Sequence, residues 1–167
     1  MKRLLTETEL NKTLKELVIV HDTREQVNEH ITNYFDKHNI KHLRRGLQTG
    51  DYSVQFGNQT LESDVVVERK ANIDEIAGNF TVQRERFEHE FERAKARGTK
   101  VFLLIENCNW TKILAHEYRS KLSPKSLMAS LMSWQARFNI TILFCDPSES
   151  GMLIYSILYY CLREELK

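Results

Sequence analysis

The sequence predicts an α/β fold, a mixed sheet sandwiched between helices, and three observations predict it. Short stretches that are apolar throughout, LVIV at 17–20, VVV at 65–67 and VFLLI at 101–105, suit strands covered on both faces. Between them lie segments with apolar residues at helical spacing, and strands that alternate with helices place those helices against a sheet. A chain of 167 residues, 41% hydrophobic and 28% charged, is long enough for one domain with a sizeable core.

Each element has its own warrant. Thr6 with Glu9 forms a capping box that opens a polar helix over about 6–16, and MKRLLTETEL lacks the apolar run of a secretory leader. The strand LVIVH ends at Asp22. Residues 24–38 predict a helix with Val27, Ile31 and Phe35 on one face, capped by Asp22 or Thr23 and favoured by Glu25 in its first turn. An extended segment then runs to Leu47, followed by a turn at Gly50, the strand DYSVQF, a loop through Gly57 and Asn58, and the strand DVVVERK. A helical tract covers 72–97, broken near Gly78; Phe80, Phe87, Phe91 and Ala94 share a face, and Gly98 stops it. VFLLIE is the next strand. Ser123-Pro124 and Asp146-Pro147 each supply an N-cap with proline in the first helical position, and ITILF between those helices is the last strand. The final helix carries Met152, Ile154, Tyr155, Ile157, Leu158, Tyr159 and Cys161, a stripe wide enough to predict a subunit interface as well as a core contact.

Composition narrows the function classes. A net charge of +1 rules out a strongly basic nucleic-acid coat and an acidic tail, so any DNA contact comes from local clusters. Two such clusters exist: Lys37, Lys41, Arg44 and Arg45, then Arg93, Lys95, Arg97 and Lys100. Each reads either as a set of phosphate contacts or as an ordinary solvated face. His38 and His42 are spaced for a metal only on a helix, and the chain turns extended at Ile40, so no zinc is expected there. Cys108, Cys145 and Cys161 form no C-x-x-C pair, which favours free thiols, Cys145 as a core residue. Trp110 and Trp134 suit either base stacking or burial. GMLIYSILYYCL is too short to span a bilayer, so the expectation is an intracellular protein without membrane contact.

The chemistry gathers at one strand end. Residues two apart in a strand share a face, so Glu68 and Lys70 point with Asp64 and Val66, and Arg69 points with Val65 and Val67. DYSVQF leads by a short loop into this strand, and an antiparallel hairpin brings Asp51 near Glu68. Two carboxylates and an ammonium suit metal-assisted phosphodiester hydrolysis. The acids would hold Mg²⁺, and the lysine would orient water or stabilise negative charge. E-x-K alone says little, since Glu165-Leu166-Lys167 repeats it. Its weight comes from Asp51 after a glycine turn and from Asp22 in VHDTRE.

V-x-D-x-R-E at 20–25, G-D-Y at 50–52 and V-E-R-K-x-x-x-D at 67–74 resemble the signature of the XPF-type nuclease domain, of the restriction-endonuclease-like PD-(D/E)xK superfamily. Arg86, Phe87 and Glu90, and the strand ending at Glu106, extend the resemblance, which spans 18–106. It implies a restriction-endonuclease-like three-layer sandwich over 1–167, completed by helices in 124–167 that also pair two copies into a homodimer. It further implies a Mg²⁺-dependent DNA endonuclease, with Mn²⁺ as a substitute, acting on flaps, forks or junctions. Asp51 and Glu68 would be the main metal ligands beside the Arg69 backbone carbonyl, with Asp22 adding a carboxylate directly or through water. Lys70 would be the catalytic lysine. Arg86 would reach a phosphate, unless it is a solvated helix arginine paired with Glu90. Arg24 and Glu25 would orient the ligands, and Asp74 would cap the next helix and brace the site. Larger members add a helicase or helix-hairpin-helix region; none of the six glycines forms the G-x-G of such hairpins, which leaves branch choice open. A recombination, restriction-like or packaging nuclease and a noncatalytic DNA-binding scaffold are the rival readings.

Overall fold

The computed structural model describes residues 5–167, so the first four residues of the polar N-terminal stretch lie outside it. Thr6 and Glu9 close the expected capping box, which starts helix α1 (Glu7–Leu14). β1 (Val18–His21) pairs in parallel with β2 (His42–Arg44) and antiparallel with β3 (Tyr52–Phe56). A two-residue strand, β4 (Gln59–Thr60), folds back on β3, and β5 (Val65–Lys70) pairs antiparallel with β3 at Tyr52 and Val67. β6 (Lys100–Glu106) and β7 (Thr141–Cys145) continue the sheet in parallel. Among the described residues, seven strands form one mixed sheet in the order β2-β1-β3-β5-β6-β7, with β4 attached to β3.

Strand alternation divides the core into two. Val65, Val67 and Leu104 pack with Leu10 and Leu14 of α1, with Ile31 and Phe35 of α2 (Glu29–Lys37), and with Ile154 and Leu158 of α7 (Ser150–Glu165). Val66, Leu103 and Ile105 point the other way. They meet α3 (Ile73–Thr81), α4 (Arg84–Arg97), the short α5 (Trp110–Leu114) and α6 (Pro124–Phe138). The result is the helix–sheet–helix sandwich expected. Trp134 is fully buried against Phe80 and Phe91, whereas Trp110 is only half-buried, packed edge-on to Phe144. Cys108, Cys145 and Cys161 are free thiols, and Cys145 is buried. Among the described residues no helix is long and apolar enough to cross a membrane.

Three boundaries differ from the sequence expectation. α2 begins at Glu29, with Asn28 before it, not near 24. Val27 is 79% exposed at φ 52°, so it belongs to no buried helix face, and Asp22 and Thr23 cap nothing. The reason lies in the site: the backbone of this loop is drawn towards Arg69. The long helical tract breaks at Val82 and Gln83, not at Gly78, which sits inside α3. That break lets Phe80 and Phe87 approach Trp134 from two helices, with ring centroids 4.1 Å and 6.1 Å away. Asp146-Pro147 opens a 3₁₀ turn (Pro147–Glu149) with its own capping box before α7 starts. In α7, Met152 and Tyr160 are exposed, while Tyr155, Ile157, Tyr159 and Cys161 lean partly buried on the same core.

Gly50 is the turn that delivers Asp51. Its φ is 73°, and a Cβ there would lie 2.7 Å from the Val66 Cβ, well inside contact distance. Gly50→Ala is therefore expected to lower unfolding free energy by about 1–3 kcal/mol, read by urea denaturation.

Candidate active site

Three strand ends meet at one rim of the sheet. The Asp51 N–H donates to the Val67 carbonyl at 2.9 Å, and the Asp51 carbonyl accepts from the Asp22 N–H at 2.8 Å. The ends of β1 and β5 and the start of β3 are thereby locked side by side, because antiparallel pairing sets the start of one strand against the end of its neighbour. Asp51 Oδ2 accepts the Arg69 N–H at 2.8 Å. On the same face as Glu68, Lys70 Nζ donates to Glu68 Oε1 at 2.7 Å, stands 3.6 Å from Glu75 Oε1, and lies 4.4 Å over the Phe87 ring. Asp22 accepts the Leu47 N–H at 2.7 Å and Arg24 Nε at 2.5 Å. Asp22, Arg24, Asp51, Glu68, Lys70 and Arg86 all line one cleft of about 240 Å³.

The cleft is short of positive charge. Burial pushes the Asp51 carboxyl well above the usual range, and the charges of Glu68 and Glu25 push it further. Burial likewise raises Glu68, against the pull of Lys70. Burial would lower Lys70, but Glu68, Asp51 and Glu75 outweigh it and hold the group as an ammonium. Asp22 differs: burial would raise it, but the Leu47 N–H and Arg24 hold it below the ordinary value.

On the opposite face of β5, Arg69 and its partners form a dense hydrogen-bonded cluster. All three guanidinium nitrogens of Arg69 donate: Nε to Glu25 at 2.6 Å, Nη1 to Glu106 at 2.9 Å, and Nη2 to the carbonyls of Gln26 at 3.3 Å and Val27 at 3.2 Å. The Tyr52 hydroxyl also donates to Glu25 at 3.2 Å. Glu106 further bonds His30 at 2.8 Å and the Ser150 hydroxyl at 2.5 Å. Burial would raise Glu106, but His30, Ser150 and Arg69 together bring it below its usual value.

The remaining predicted residues separate. Glu25 lies on the Arg69 side of the sheet, where it holds the guanidinium. Asp74 does not cap α3: Asn72 does, accepting the Glu75 N–H at 2.9 Å, because a cap must stand three residues before that donor. Asp74 instead accepts the Arg119 N–H at 2.7 Å and its Nε at 3.1 Å, away from the cleft lining. Arg86 is on the cleft wall, largely exposed, with Nε 3.5 Å from Glu90. Lys41 pairs with Glu16 at 3.2 Å, Arg44 reaches the Thr23 carbonyl, and Arg45 reaches the Thr60 hydroxyl. Lys95 binds the Arg137 carbonyl, while Arg93 and Arg97 are exposed on α4. Sequence reasoning missed Glu75, Asn79 and Gln83, which also line the cleft. Their spacing of four was the available signal, a polar stripe running beside the apolar one on the same tract.

Among the described residues, no group of three or more His, Cys, Asp or Glu side chains is arranged to hold a metal ion unaided. The donor set nevertheless fits a hard cation. In an antiparallel pair the N–H and C=O of one residue face the same neighbour, so the Arg69 carbonyl faces the start of β3 beside Asp51. Two carboxylates, that carbonyl and water suit Mg²⁺, which keeps several waters and needs only one or two protein carboxylates.

The ERCC4 domain family model matches residues 21–157. A solved structure of XPF from Aeropyrum pernix has TM-score 0.67 and 20% identity, covering 87% of this chain and 65% of that one. A second, XPF from Aeropyrum pernix in complex with DNA, has TM-score 0.65 and 19% identity, covering 88% and 66%. The chain thus spans slightly less than two thirds of either, and at such identities the likeness is one of fold. Among curated proteins none matches the chain.

Glu106→Ala leaves the Arg69 guanidinium buried without one of its two carboxylates and is expected to lower stability by about 3–5 kcal/mol in denaturant unfolding. Asp51 gives the opposite sign. Its carboxyl titrates higher folded than unfolded, so the folded state binds more protons and loses stability as pH rises through that window. Asp51→Asn, which keeps an acceptor for the Arg69 N–H, should raise the thermal midpoint at pH ~8. The gain should fade toward the ordinary carboxylate range near pH ~4.

Proposed function

The chain belongs to the ERCC4 domain family, and on that premise we propose that it is a metal-dependent endonuclease that hydrolyses phosphodiester bonds in DNA. One observation carries the reading: the Glu68–Lys70 pair and Asp51 face a single cleft at the start of β3 and the end of β5. Mg²⁺, or Mn²⁺ in its place, held by Asp51, Glu68 and the Arg69 carbonyl with Asp22 close by, would supply an activated water and neutralise charge on the phosphate. Its acidic neighbours hold Lys70 as an ammonium, the form that donates. Its ammonium orients the attacking water or stabilises negative charge as the bond breaks. Arg24 keeps Asp22 ionised and aimed into the cleft. Arg86, on the wall, is free to swing from its long contact with Glu90 onto a neighbouring phosphate.

The substrate is DNA, branched in flaps, forks or junctions, as encountered in repair, recombination or replication. The structural likeness to an XPF bound to DNA supports the choice of nucleic acid. Exposed Lys41, Arg44 and Arg45 on one side, and Arg93, Lys95 and Arg97 on α4, offer contacts to flanking phosphates. We place the protein inside the cell as a homodimer joined through its C-terminal helices, where Met152 and Tyr160 present exposed apolar surface on α7.

Purified protein with Mg²⁺ should cut labelled flap and fork DNA in preference to linear duplex. Asp51→Ala and Glu68→Ala should each slow cleavage at least ~100-fold. Unchanged rates in those variants would refute the site.

A further inference from the structure

α3 presents two faces: Ile76, Ala77 and Phe80 enter the core, while Glu75 and Asn79, four apart, line the cleft with Gln83 beyond them. Glu75 touches Lys70, so Asn79 stands one helical turn further along the same wall. Asn79 is only 6% exposed, and its Nδ2 is buried with no hydrogen-bond partner among the described residues. A buried donor left unmade costs about 1–3 kcal/mol, and such orphans in native folds call for an explanation.

Two charged cleft donors are already committed: Lys70 binds Glu68 and Glu75, and Arg24 binds Asp22 and the Leu47 carbonyl. A metal cation cannot satisfy an N–H group; an anionic oxygen can. The torsion carrying an Asn amide is a broad one, so a turn of that amide presents the N–H to the cleft. We infer that Asn79 is a substrate-contacting residue whose Nδ2 donates to a non-bridging oxygen of one phosphodiester of the DNA strand in the cleft, beside the Glu68–Lys70 pair. The identity of that anion rests on the nuclease reading above.

The test uses the whole chain and duplexes or flaps carrying a single methylphosphonate at each phosphate in turn across the cut region. Binding is measured with Ca²⁺ and cleavage with Mg²⁺. Asn79→Ala should weaken binding or kcat/KM about tenfold, the scale of one hydrogen bond to a charged group. Asn79→Asp should do worse, because its carboxylate repels the phosphate. At one phosphate, the methylphosphonate should weaken wild type about tenfold more than it weakens Asn79→Ala. The thermal midpoint of Asn79→Ala should hold or rise, since an orphan donor is removed. Equal penalties in both proteins at every phosphate, or a loss that follows only a fallen midpoint, would overturn the assignment. Wild-type cleavage without this coupling would keep the nuclease reading and discard the role of Asn79. Coupling in binding with no cleavage would do the reverse.

Discussion

The buried guanidinium of Arg69 is the interaction on which the rest of the site depends. Its side chain crosses to one face of the sheet and ties together the loop after β1, the end of β6 and, through Glu106 and Ser150, the start of α7. Its own N–H holds Asp51 at the strand edge. One residue thus holds Asp51 through its backbone on one side and anchors the loop after β1 and the end of β6 through its side chain on the other. Withdrawing these charges from water is costly, and the arrangement stands because every guanidinium nitrogen and both Glu106 oxygens have partners.

The mixed sheet supplies the second constraint. β3 lies between β1 and β5 and runs antiparallel to both, so its start falls beside the ends of its two neighbours. Acids from three distant stretches of chain gather at one rim without a long loop. Pairing then divides their electrostatics. On the Arg69 face, donors from His30, Ser150 and Arg69 hold Glu106 below its usual value; on the cleft face, burial raises Asp51 and Glu68, which face one lysine. That surplus of negative charge is what suits the cleft to a divalent cation, and a bound cation would reverse those upward shifts.

Where sequence reading erred, a tertiary contact had overridden a local pattern. Val27, Ile31 and Phe35 have helical spacing, yet the carbonyls of Gln26 and Val27 turn to Arg69 and the helix starts only at Glu29. Gly78 looked like the breaker, yet it lies inside α3, and the break at Val82 and Gln83 falls between the helices that bring Phe80 and Phe87 to Trp134. Asp74 looked like a cap, yet Asn72 stands at the position that reaches the Glu75 N–H.

Local rules were enough for the five longest strands, the two-layered core and the placing of Glu68 and Lys70 on one face, because apolar runs and period-two alternation act over a few residues. The glycine turn and hairpin likewise announced that Asp51 would approach Glu68. Only the tertiary structure decided that Glu25 serves Arg69 and not the cleft, that Glu106 completes that clamp, and that α3 turns Glu75 and Asn79 toward the lysine. Those outcomes depend on which elements become neighbours across the sheet, and hydrogen bonds between residues some forty positions apart leave no periodicity for a sequence to display.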